Sequence, residues 1–147
     1  SKTMNISKFD DLLLAASQQV HTQRLLLVFA TEELPGNPTP EQRAAFEQGT
    51  GGILVPAMSV HKTLDEIGNF DQFKLQAAHL ARPWRVLFAT SLSGKGGDLP
   101  SVADAEHFLA TMTEAVRRGR VDGLIAFNAD GIAVARSPVD ADRAKPV

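Results

Sequence analysis

The chain has 147 residues (15.8 kDa), no cysteine and a formal net charge of −2, with 44% hydrophobic and 22% charged residues. That length suits one domain with a proper core, and the composition argues against extensive disorder. The charge gives no pull toward nucleic acid or an anionic membrane, and the missing cysteines exclude disulfides, thiolate nucleophiles and cysteine-type zinc sites. No apolar run approaches the ~18 residues of a membrane span, and the first residues lack a basic stretch followed by an apolar one, so a cytoplasmic protein without nucleic-acid or membrane partners is expected.

Phe9, Leu12, Leu13, Ala16 and Val20 recur at helical spacing, predicting a helix over residues 6–20 with Asn5 or Ser7 as cap. The continuous apolar run Arg24 to Thr31 is the pattern of a strand covered on both faces. Thr39-Pro40-Glu41-Gln42 opens a short helix that runs to about Gln48. Residues 51–60 are strand-like, but Pro56 cannot donate to a ladder, so this strand is expected at an edge or bulged. Thr63 and Glu66 form a second capping box, and Phe70, Phe73, Ala77 and Leu80 resume a helical stripe.

Residues 84–90 predict a strand, 91–100 a glycine-rich loop, and 101–118 a helix that buries Val102, Ala105, Leu109, Met112 and Val116 and stops at Gly119. Phe70, Phe73, Phe108 and Trp84 are assigned to the core, Trp84 being partly exposed. Two further strands flank the turn Asn128-Ala129-Asp130-Gly131. The globular domain is expected over residues 4–137, with a loose tail at 138–147.

Two segments follow one plan, strand, loop, helix, strand: one starts at Arg24, the other at Arg85, and both place Phe-Ala-Thr at the strand end. An internal duplication would produce this echo, as would chance. The alternation predicts an α/β or α+β fold: a single mixed, mainly parallel sheet of about five strands, helices packed on it, an N-terminal helix and a C-terminal hairpin.

In a mainly parallel sheet the strand C-terminal ends share one edge, where ligands bind. That edge would collect Thr31, Glu32 and Glu33, then Ser59, His61 and Lys62, then Thr90, Ser91, Ser93 and Lys95. His61 and Glu32 are the candidate acid-base groups, because histidine titrates near neutrality and a carboxylate can take a proton. Lys62, Ser91, Ser93, Gly94, Lys95, Gly96 and Gly97 are candidate ligands for a small anion, since glycines let backbone N–H groups approach one.

The spacing nevertheless fits neither G-x-x-x-x-G-K-[ST] nor G-x-G-x-x-G. No G-x-S-x-G supports a serine nucleophile. His21, His61, His79 and His107 lack metal spacing, so no metal and no cofactor is expected. Arg117, Arg118 and Arg120 are accounted for as cations at a helix C-terminus.

The runs MNISKFDDLL from Met4, RLLLVFATEELP from Arg24, GGILVPAMSVHKTLDEI from Gly51 and LFATSLSGKGG from Leu87 resemble a family of small proteobacterial proteins of about this length. The resemblance covers Met4 to about Ser137. Members often carry the label ribonucleotide reductase subunit alpha. Catalytic subunits of that enzyme are several times longer and depend on cysteines, whereas this chain has neither cysteine nor tyrosine. The resemblance therefore implies a family without an established activity and transfers no catalytic residue. The expected function is a binding or protein-interaction module without catalysis, whose partner is another protein or a second copy of itself. The alternative is a small enzyme or ligand-binding domain for a phosphorylated or carboxylated metabolite.

Overall fold

The computed structural model describes residues 6–49, 51–78 and 83–134. The expected tail at 138–147, the stripe residue Leu80, His79 and the candidate cap Asn5 lie outside them.

Helix α1 (Phe9–Ser17) starts after Lys8, and its capping acceptor is the Asp11 carboxylate, which takes the N–H groups of Ser7 and Lys8 and the Ser7 hydroxyl, each at 3.0 Å. Strand β1 (Gln23–Glu33) follows, then α2 (Pro40–Glu47), β2 (Ile53–Thr63), α3 (Leu64–Ile67) and α4 (Phe70–Ala77). The capping boxes at Thr39 and Thr63 both form, but Gly68, at φ 76°, ends α3 after one turn and Asn69 caps α4 anew. Strand β3 (Val86–Ser93), α5 (Val102–Arg117), β4 (Ile125–Phe127) and β5 (Ala133–Val134) complete the chain.

The sheet order is β2-β1-β3-β4-β5, and every neighbouring pair is antiparallel. The class is α+β, and the expectation of a mainly parallel sheet is overturned. Its premise was that the helix after β1 is a crossover helix packed on the sheet. No residue of α2 is buried, so α2 decorates a long connection between antiparallel neighbours.

Three layers result. On one face, Leu25, Leu27 and Phe29 of β1 with Leu87, Ala89 and Phe127 pack against Phe9, Leu12 and Ala16 of α1, Ile67 of α3, and Phe70, Phe73 and Ala77 of α4. Phe9 lies 5.3–5.6 Å, ring centre to ring centre, from Phe70, Phe73 and Phe127. On the other face, Leu26, Val28, Ala30, Phe88 and Ala126 meet Ala105, Leu109, Met112 and Val116 of α5. The uninterrupted apolar run of β1 is thereby explained without parallel neighbours, because both faces of the strand are covered.

Pro56 stands on an edge strand and beside a bulge, since the β1–β2 register shifts between Phe29 and Ala30. Its partner Ala30 turns its carbonyl the other way, accepting from Arg85 N–H at 2.8 Å, so the missing donor leaves no gap in the ladder. No helix among the described residues is long and apolar enough to cross a membrane.

Candidate functional site

Antiparallel order redistributes the expected site. The C-terminal ends of β2 and β3 both lie beside the start of β1: His61 and Thr90 are opposite Leu26, Ser91 is opposite Leu25, and Ser93 is opposite Gln23. Glu32 is opposite Leu54, six residues along β1 from Leu26, roughly 20 Å away at strand rise. Thr31 and Glu33 go with it. Glu32 is there ion-paired with Arg85 Nη1 at 3.0 Å. The common edge expected for all three loops does not exist; two of the three converge.

Within the converging end, strand alternation separates neighbours. Lys62 is opposite Leu25 and shares the α1 side of the sheet, whereas His61 is opposite Leu26 and shares the α5 side. Arg24 Nη1 approaches His61 Nδ1 at 3.3 Å, and because guanidinium only donates, Nδ1 is the acceptor. Arg24 Nε reaches the Pro100 carbonyl at 3.3 Å, so one guanidinium joins His61 to the end of the glycine-rich loop. On this side of the sheet Ser59 Oγ lies 2.6 Å from Thr113 Oγ1 of α5. Ser91 and Ser93 are tied to Gln23, which is only 4% exposed: Gln23 Nε2 donates to Ser93 Oγ and to the His21 carbonyl, each at 2.8 Å, and Gln23 Oε1 accepts from the Ser91 hydroxyl.

The glycine-rich loop directs its amides into the protein. Gly94 N–H donates to Thr22 O at 2.8 Å, Lys95 N–H to Asp98 O at 3.0 Å, Gly96 N–H to His21 Nδ1 at 2.7 Å, and Asp98 N–H to Lys95 O at 2.9 Å. Glycine is required at two positions. A Cβ on Gly94 would collide with the Asp98 carbonyl oxygen, and Gly96 has φ +58°. Gly97 completes the turn. The engaged amides make this loop a folded turn rather than an open cradle for phosphate.

What the loop does build is a cavity of about 300 Å³ against the start of α5. Leu92 and the buried Pro100 contribute to its lining, Leu99 and Phe108 supply apolar walls, and Lys95, Asp98 and Asp104 bring charge. Ser101 caps α5, its Oγ accepting from Asp104 N–H at 3.0 Å, which leaves the Asp104 carboxylate outside the cap. Lys95, Asp98 and Asp104 form no ion pair with any other described residue.

Sequence reasoning missed Phe108, Asp98 and Asp104. Phe108 was assigned to the core but is 47% exposed, and Val102, placed on the buried stripe, is 51% exposed. The signal for Phe108 was its place beside the stripe Ala105, Leu109, Met112 and Val116 instead of within it.

A second hollow of about 550 Å³ runs along the outward face of α5 past His107, Thr111 and Arg118. There the Glu114 carboxylate accepts from Arg118 Nε at 2.7 Å and Arg117 Nε at 3.2 Å, and these hydrogen bonds, Arg118 first, hold it below the usual carboxylate range. Arg117 and Arg118 are thus engaged at the helix C-terminus. Among the described residues no three histidine, aspartate or glutamate side chains gather as a metal ion would require. No protein-family model, curated protein or solved structure matches the chain.

Proposed function

We propose that the protein is a binding or protein-interaction module that works without catalysis, and that its recognition surface is the loop and α5 end of the sheet. The observation that carries this reading is the contrast between two groups of side chains. Of the expected acid-base candidates, His61 is tied to Arg24 and Glu32 lies at the opposite end on Arg85, and of the expected anion ligands the Ser91 and Ser93 hydroxyls are tied to Gln23. The charges of Lys95, Asp98 and Asp104, with exposed Phe108 and Leu99, instead line one concavity. We also place the chain with the small proteobacterial proteins that it resembles, supported by the shared runs around β1, β2 and β3.

Tagged protein immobilised in cell lysate tests the reading. Phe108→Glu should abolish capture of whatever partner the wild type retains, while the double variant His61→Ala, Lys62→Ala should retain it. The reverse pattern would move function from the cavity to the His61 and Lys62 edge of β2 and contradict the proposal.

A further inference from the structure

We infer that the cavity between the glycine-rich loop and α5 takes a free α-amino acid with an apolar side chain, its carboxylate on Lys95 and its ammonium on Asp98 and Asp104. This rests on the reading of the molecule as a binding module and supplies its ligand class. Size is the first argument: about 300 Å³ lies at the lower limit of small-molecule sites and holds an amino-acid-sized ligand, not a nucleotide.

Charge is the second. One lysine and two aspartates are among the residues lining the cavity, and none is ion-paired with another described residue. A simple anion would meet two carboxylates, and a simple amine would leave Lys95 without a counter-ion; a zwitterion answers both signs. The Gly94, Lys95 and Gly96 amides, which a phosphate would need in concert, are already donated to Thr22, Asp98 and His21. Apolar surface is the third argument. Phe108, Leu99 and Leu92 line the same cavity, and Phe108 stays 47% exposed on a helix that buries Leu109, Met112 and Val116 against the sheet. An aromatic face beside paired charges suits the side chain of leucine, methionine or phenylalanine.

The test is an amide NMR titration of the whole chain with L-leucine, L-methionine and L-phenylalanine, set against leucinamide, N-acetyl-leucine and inorganic phosphate. At least one amino acid should shift Gly94, Lys95, Asp104 and Phe108 together and saturably. Leucinamide and N-acetyl-leucine, each lacking one charge, should bind about tenfold or more weakly, as for loss of one charge-assisted hydrogen bond. Lys95→Ala should weaken the amino acid by a similar factor and leave leucinamide unchanged; Asp104→Asn should weaken both.

Silence with all three amino acids at about 10 mM, well above ordinary small-ligand affinities, would overturn the inference, and so would saturation by phosphate alone. Capture of a protein partner that still depends on Phe108 would then leave the interaction module standing; capture independent of Phe108 would remove both.

Discussion

Gln23 shows how much one side chain decides at this end of the molecule. Its buried amide holds the Ser91 and Ser93 hydroxyls and the His21 carbonyl together, which fixes the end of β3 against β1 and sets where the glycine-rich loop begins. Gln23→Leu removes these partners from part-buried hydroxyls and should cost about 1–3 kcal/mol, read from urea denaturation. A loss no larger than for an exposed glutamine would contradict the network. His21 makes a second, separable contribution. His21→Asn keeps an acceptor near the Gly96 N–H, whereas His21→Ala does not, so amide exchange at Gly96 should accelerate in the alanine variant and remain near wild type in the asparagine one. Neither residue was legible in the sequence as a loop anchor. Gln23 is one polar residue before an apolar run, and His21 sits 75 positions from its partner Gly96; contacts of that separation leave no local periodicity to read.

At the scale of elements, the parts with local signals were legible. The Thr39 and Thr63 boxes, the α5 stripe from Ala105 to Val116 and Pro56 are each specified within a few residues, and each forms as the local chemistry requires, while Val102 at the first turn of α5 stays exposed. Strand direction is not specified locally. A helix between two strands suggests a parallel crossover only when that helix has an apolar face to lay on the sheet, and Pro40–Glu47, with Phe46 as its one large apolar residue, has none. The first strand-helix-strand unit is therefore a long antiparallel connection. Helix α5 of the second unit packs across β1 and β2, using the other unit's strands as its support.

The helix starts also carry part of the pH dependence, beside Glu114 near the end of α5. Asp11 is held below its ordinary value first by the Ser7 backbone N–H and then by that of Lys8, and Glu66 first by the Thr63 N–H. A carboxyl whose folded value is depressed adds stability that is complete above its unfolded value and is lost as the pH falls through the folded one. Stability should therefore decline as the pH drops below the ordinary values of 4.5 for Glu66 and 3.8 for Asp11. The double variant Asp11→Asn, Glu66→Gln should show a flatter decline in urea midpoints over that range; an unchanged slope would assign the acid sensitivity to other groups.

For the whole molecule, β1 is the shared wall of two cores, and its position between β2 and β3 determines what the surface can do. Phe9, fully buried among Phe70, Phe73 and Phe127, ties α1 to α4 and the sheet; Phe9→Ala should cost about 3–5 kcal/mol, and a denaturation midpoint near wild type would show the first core to be assembled differently. Because β2 and β3 both run against β1, their C-terminal ends meet at the loop and α5 end while Glu32 is carried to the other, so the recognition surface we propose depends on strand direction before it depends on any side chain.

Cross-strand NOEs between Hα protons test that dependence most directly. The carbonyls of Thr22 and Ala30 bond Gly94 and Arg85, so even-numbered residues of β1 turn their backbone groups toward β3, and the close, non-hydrogen-bonded pairs are Leu26 with His61 on one side and Leu25 with Ser91 on the other. Strong Hα–Hα NOEs for both pairs are predicted. Their absence, with contacts that place His61 beside Thr31 or Glu32, would show a parallel pairing and dissolve the proposed recognition end.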